Sequence, residues 1–283
     1  MDVAGIGTMR QTNYRNKADL RTEPGLPSRR KFMNRALPEA EVRGGAGASK
    51  DLTIAAKFGK TETENLTFVR STALGDEYEY VGSVNVEGKL TIAVDGQVTI
   101  CGDVKAGEIV ASAGSGNHED GLITITGALD AKKVWLPRSL TVLGPVNVES
   151  LIEAFAWVRA PTITAGEIRT DRLYIGSKAT VKTRLTAGYI GFLNPDSATP
   201  VSISCEGEID SWIRIDLTRV AGNEIKAQAI ITPELNVVET VKAEKLIDAK
   251  KIYVNGHIEA GEEIRAKEFN VDGTYKAPKV NIG

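Results

Sequence analysis

The chain of 283 residues holds only two histidines and two cysteines, so imidazole and thiol chemistry have few places to reside. The longest polar insertion is Ala113-Gly-Ser-Gly-Asn-His118-Glu119-Asp120-Gly121. It is the natural place for a ligand, yet no helix N-terminus follows to make it a phosphate cradle. His118, Glu119 and Asp120 are contiguous, and contiguous ligands without a distant partner make a poor metal site; a solvent loop is expected. His257 falls in a corner between two strands with no neighbour resembling a triad. Cys101 and Cys205 lie at or beside turns, without a CxxC spacing or a paired histidine, so neither a disulfide framework nor a reactive thiol is expected. Asn65-Leu66-Thr67 matches a glycosylation sequon, which carries meaning only behind a secretory signal. The acids Asp103, Glu108, Asp130, Glu208, Asp210, Glu224 and Glu259 are scattered, with no compact cluster and flanking arginine at one height. The chain is therefore expected to be no enzyme, with no catalytic, cofactor-binding or metal-ligating residue and no small-molecule substrate.

The elements that carry these residues follow from composition. Hydrophobic residues make up 42% and aromatics 6%, which fits an interior of small and branched aliphatics rather than a disordered chain. The 28 glycines are about a tenth of the chain against a usual ~7%, and with frequent Val, Ile and Thr they indicate many short strands and turns. No apolar run approaches a membrane span and no signal-type apolar stretch follows Met1, so a cytoplasmic address is expected. The net charge of −2 hides an asymmetry. Residues 1–50 carry ten Lys/Arg and five Asp/Glu, whereas the remainder carries 25 and 32, a tail of +5 on a body of −7. The first stretch has no sustained hydrophobic period and ends in Gly44-Gly45-Ala46-Gly47-Ala48-Ser49. Residues 1–50 thus read as a flexible basic N-terminal tail, and residues 51–283 as the folded domain.

Self-similarity is the main signal in that domain. Lys89-Leu-Thr-Ile92-Ala-Val94 is echoed by Ala131-Lys-Lys-Val134-Trp-Leu136, Thr170-Asp-Arg-Leu173-Tyr-Ile175, Asp210-Ser-Trp-Ile213-Arg-Ile215 and Ala249-Lys-Lys-Ile252-Tyr-Val254. The starts lie 42, 39, 40 and 39 residues apart, and Asp51–Ala56 looks like a degenerate copy 38 earlier. A finer rhythm of six runs inside each copy. Its apolar pairs are Ile92/Val94, Val98/Ile100 and Val104/Ala106, then Val134/Leu136, Leu140/Val142 and Val146/Val148. Leu173/Ile175, Ala179/Val181 and Leu185/Ala187 follow, and Ile252/Val254, Ile258/Ala260 and Ile264/Ala266 close the series. The fourth copy keeps Ile213/Ile215 and Ile225/Ala227, with its middle pair blurred around Val220.

Spacing i, i+2 places both members of a pair on one face of a short strand, and the next four residues turn a corner. A helix would repeat its apolar positions at three and four instead. Three sides close a coil, and the pattern re-enters at Ile109, Leu151, Ile190, Ile230 and Phe269. The fold class is therefore all-β: a parallel β-helix, or β-solenoid, of about 12 coils of roughly 17–22 residues, right-handed by the strong default for parallel crossovers.

Val98-Thr-Ile-Cys-Gly102-Asp-Val-Lys-Ala, Ile123-Thr-Ile-Thr-Gly127-Ala-Leu-Asp-Ala and Ile252-Tyr-Val-Asn-Gly256-His-Ile-Glu-Ala fit a V-x-V-x-G-x-I-x-A phrase. With a basic tail ahead of a β-helix, this resembles the bactofilins, polymer-forming cytoskeletal proteins of bacteria. The resemblance covers about residues 80–280, in a core longer than is usual for that family. It implies a non-enzymatic scaffold that assembles end to end without a nucleotide, with Phe269 the nearest match to a phenylalanine of the C-terminal coil.

Three surfaces follow as expectations. End-to-end assembly falls to the C-terminal coil, with Phe269, Tyr275, Val280 and Ile282, because a solenoid end without a cap exposes edge strands and core side chains. The outward residue of the first strand in each repeat is often apolar, which sets Trp135, Ile152, Tyr174, Ile231 and Tyr253 in a stripe for a partner protein or a second copy. In the tail, Arg29, Arg30, Lys31 and Arg35 supply charge for an anionic membrane surface, nucleic acid or the acidic body. The rival readings are a β-helix protein-binding module, such as an effector or inhibitor, and a polysaccharide-binding or -processing β-helix, which would call for aromatic and acidic clefts.

Overall fold

Among the described residues, inward aliphatics at every second position build sixteen strands joined in one sheet. The computed structural model describes residues 52–55, 66–68, 70–71, 77–93, 96–111, 122–194 and 198–283, within one unit, Ala46–Gly283. Residues 1–50, including Arg29, Arg30, Lys31 and Arg35, and the segment 112–121 with His118 lie outside the described residues. Every strand pairing is parallel except Arg70–Ser71 on Glu77–Val81. The described fold has no helix, and it is a parallel β-solenoid of about 10 turns. Ile92, Val98, Val104, Val134, Leu140, Val146, Leu173, Leu185, Ile252, Ile258 and Ile264 are all buried in one continuous core. Each contributes roughly 1.5–3 kcal/mol of burial.

Three faces wind around this core. On face I, Val98 stacks on Ile123, Ile123 on Leu140 and Leu140 on Val158. Higher up the same face, Ile190 meets Ile215, Ile215 meets Leu235, and Ile252 meets Phe269. Face II carries Val84, Val104, Leu129 and Val146, and later Ala179, Ile203 and Ile225. Face III carries Leu90, Ile109, Val134 and Ile152, then Leu185, Ile209 and Ile230.

The apparent repeat of about 40 residues does not hold two coils throughout. From Val158 the inward pairs step by five rather than six, through Ile163 and Ile168 to Leu173, all buried. Seven sides therefore fit between Val134 and Leu173 where six were expected. The positions that look equivalent in sequence move from face III to face I. Ser177 Oγ donates to the Pro161 carbonyl at 3.1 Å and the Leu193 amide donates to the Ile175 carbonyl at 2.9 Å, which stacks Leu173/Ile175 between the Val158 and Ile190 coils on face I.

Several local assignments change for equally physical reasons. Ile152, not Leu151, points inward, because it pairs with Val134. Ile213 is 54% exposed. A one-residue bulge between the Ala187 and Tyr189 pairings pushes Trp212 and Ile213 outward, and the inward pair is Ile215/Leu217. Ile225/Ala227 stacks on the second side, over Ile203, while Val220 belongs to a loop closed by Asn223, whose amide donates to the Leu217 carbonyl at 2.9 Å. Leu90/Ile92 forms an inward pair, and Val94 lies outside the described residues. Leu52–Ala55 stacks directly on Leu90–Ala93, and Leu66–Phe68 stacks on Leu52–Ala55, so the degenerate first copy adds two strands to the ladder of face III.

Corner glycines let the coils approach. At the corner from face I to face II, Gly102, Gly127 and Gly144 stack directly, with the Gly127 amide donating to the Gly102 carbonyl at 3.0 Å. A Cβ on Gly127 would lie 2.7 Å from that carbonyl. Higher on the same corner, Gly256 and Gly273 take positive φ, and Glu239, one coil below Gly256, does so at φ 108.

Candidate functional site

The residues with chemical potential are spread along the solenoid. His257 Nδ1 lies 2.7 Å from Thr274 Oγ1 and Nε2 lies 3.6 Å from Glu259, an inter-coil ladder on the surface. Lys276 Nζ donates to Glu259 at 2.6 Å, and this pair holds the Glu259 carboxyl below its ordinary range. The Cys101 thiol donates to Glu79 Oε1 at 3.1 Å. Burial first, then the Glu79 carboxylate, push the thiol up to about 11, so it stays protonated near neutrality and is a poor nucleophile. Cys205 is buried and its thiol is likewise pushed up by burial. No group of three His, Cys, Asp or Glu side chains that could hold a metal occurs among the described residues.

One acidic pair does come together, contrary to the scattered appearance of the acids in sequence. Arg184 Nη2 lies 3.2 Å from Glu208 and 3.1 Å from Asp210 on face III. Parallel stacking places the partners 24 and 26 residues away, a separation no local motif shows. A single guanidinium neutralises both carboxylates. The same face repeats the theme with Lys89, Glu108 and Lys133 and with Asp248, Glu263, Arg265 and Lys279. This is a charge-laddered sheet surface.

The expected apolar stripe divides. Trp135 and Ile231 stand outward on face III, 42% and 37% exposed. Ile152 is in the core. Tyr174 and Tyr253 stand on face I, the next side in the winding order. Tyr253 donates its hydroxyl to Glu268 at 2.8 Å. Tyr174 is only 8% exposed, because the Arg159 guanidinium sits over its ring at 4.6 Å and the Tyr189 ring lies 5.7 Å away.

Tyr174 belongs instead to a stack that the repeat pattern conceals. Arg159 also lies over the Trp157 ring at 4.9 Å, and Arg214 over the Tyr189 ring at 5.3 Å. Tyr189 lies across Gly191, where a Cβ would come within 2.6 Å of ring carbon Cε1. Burial, chiefly, pushes the Tyr189 phenol up to about 12. Trp157 Nε1 and Arg159 Nε are buried without a hydrogen-bond partner. Sequence reasoning missed this cluster, since its members meet only once the five-residue steps place Val158 and Leu173 on one face.

The C-terminal coil continues all three inward columns. Phe269 pairs with Ile252, Tyr275 with Ile258, Val280 with Ile264 and Ile282 with Ala266. Phe269 and Val280 pack partly buried against the core, and Phe269 meets Tyr275 edge to face at 5.4 Å. Tyr275 and Ile282 are 58% and 59% exposed. Lys251 to Glu268 at 3.0 Å, Lys276 to Glu259 and Lys279 to Glu263 tie this coil to the one below.

Neither a known protein family, a curated protein nor a solved structure matches the chain. No helix among the described residues is long and apolar enough to cross a membrane.

Proposed function

We propose that this chain is a non-enzymatic structural scaffold that associates with copies of itself through its C-terminal coil and holds partners along its faces, in the manner of the cytoskeletal bactofilins it resembles. One observation carries the reading: Tyr275 and Ile282 occupy inward columns yet stand more than half exposed. Apolar atoms in that position gain burial only when another surface covers them. The opposite end differs. There Leu52–Ala55 and Leu66–Phe68 stack below face III, and Arg70–Ser71 pairs against the edge of face I. The C-terminal coil is therefore the end favoured for contact, and a pair of chains is the smallest assembly it builds. Intracellular assembly, with the basic segment 1–50 drawn to an anionic surface, belongs to the same proposal.

The test is sedimentation equilibrium of the full chain against Tyr275→Glu combined with Ile282→Glu. Both side chains are exposed, so the β-rich circular dichroism should persist while association falls at least tenfold. Unchanged association in the double variant, with folding intact, overturns the proposal. A protein-binding module is the second reading, favoured by the arginine cluster of face I.

A further inference from the structure

Four arginines gather on face I around Tyr174 and Tyr189. Arg159 lies between Trp157 and Tyr174. Arg172 precedes Leu173 on the strand that bears Tyr174. Arg214 covers Tyr189, and Arg219 lies in the loop that follows the strand of Arg214. Two carboxylates accompany them, Asp171 and Asp216, and only Asp216 forms an ion pair, at 3.8 Å from Arg214. Elsewhere Arg169, Arg184 and Arg265 are each paired with glutamate at 3.2 Å or closer. Arg159, Arg172 and Arg219 make no ion pair among the described residues. A cationic field thus stands on a body whose net charge is −7. The next coil ends it with Glu234, which follows Arg214 up the face.

The geometry points to a docking surface for an acidic polypeptide segment, and we infer that carboxylate side chains pair with the forks of Arg159, Arg172, Arg214 and Arg219. Arginine rather than lysine at all four positions suits bidentate recognition of carboxylate or phosphate. The aromatic rings decide between the polyanions. Single-stranded nucleic acid needs open ring faces for base stacking, yet Tyr174 is 8% exposed, with Arg159 over its ring and Tyr189 beside it. Tyr174 and Tyr189 stiffen the guanidinium groups and offer no stacking platform, while Trp212 and Phe155, 49% and 52% exposed, are the open rings beside the field. Leu143 and Phe155, 57% and 52% exposed, flank the lower edge of the field and offer apolar contact to a peptide. From the Arg159 coil to the Arg214 coil is three steps, about 14 Å at ~4.8 Å per strand, which four or five residues of extended peptide span.

This inference is independent of assembly through the C-terminal coil. The probe is a fluorescein-labelled peptide of about ten residues with alternating glutamate and serine, titrated with the full chain in about 0.15 M salt, where distant charge is screened. Saturable binding is expected. Arg159→Gln with Arg172→Gln should weaken it about tenfold or more, whereas the charge-matched Lys132→Gln with Lys182→Gln on face II should change it less than about twofold. Since Arg159 is packed between rings, Arg172→Gln with Arg219→Gln, both exposed, repeats the test without touching the stack. Tyr275→Glu with Ile282→Glu should leave peptide affinity unchanged. Absence of peptide binding, equal loss in the lysine control, or tighter binding of an oligo-dT of similar length that the arginine variants abolish would each overturn the inference.

Discussion

Glu239→Gly should stabilise the protein, an unusual direction for a substitution to glycine. Glu239 stands at the corner between faces I and II with φ 108, and its neighbour in the next coil, Gly256, has φ 139. A side-chain-bearing residue held in that region costs about 1–3 kcal/mol. Glycine removes this strain but adds about 0.5–1 kcal/mol of unfolded-chain entropy. The Glu239 side chain is exposed and makes no ion pair or hydrogen bond, so no contact is lost. The net gain is about 1 kcal/mol, or roughly 2–4 °C in thermal midpoint for a chain of this size. The converse, Gly256→Ala, places a Cβ 2.2 Å from the Glu239 carbonyl oxygen and should lower stability by about 3 kcal/mol, combining overpacking with strain. Thermal melts followed by far-ultraviolet circular dichroism measure both. A lowered midpoint for Glu239→Gly, or an unchanged one for Gly256→Ala, would refute this account of the corner.

Cys101, with its thiol pushed up to about 11, should react with Ellman's reagent at pH 8 roughly a hundredfold more slowly than an ordinary free thiol, since only about one in a thousand is ionised. A Cys205→Ser background isolates the signal, and a rate equal to that of a free thiol contradicts the Glu79 contact. The same shift sets an alkaline limit. The folded chain keeps protons on Cys101 up to about 11 and on Tyr189 up to about 12, where ordinary values are 9.0 and 10.0. The unfolded chain releases them first, so stability falls as pH rises above about 9. Cys101→Ser should flatten the lower part of that decline, and a melting temperature constant from pH 8 to 11 would exclude it.

The core was legible wherever apolar residues alternate without ambiguity. Leu140/Val142 and Ile258/Ala260 admit one register, and both members are buried. Leu151-Ile152 offers two adjacent candidates, and only pairing with Val134 selects the second. The five-residue steps from Val158 to Leu173 preserve i, i+2 pairs but advance the face, so Tyr174 resembles Trp135 in the repeat while standing one side further round. The bulge at Trp212 has no composition signal, because Ile213 and Ile215 satisfy the same alternation as Ile215 and Leu217. The arginine field was invisible for a related reason: its members lie far apart in the chain and share only a column. Charged pairs such as Arg184 with Glu208 were hidden by the same parallel stacking.

The scaffold reading meets its most direct test in negative-stain images of the purified chain across a range of concentrations. About 10 turns at ~4.8 Å each give a solenoid of roughly 50 Å. Stacking through the C-terminal coil predicts rods of about 100 Å or longer that shorten to single units in Tyr275→Glu with Ile282→Glu. Single rods of about 50 Å at every concentration, with the mass of one chain, would contradict it.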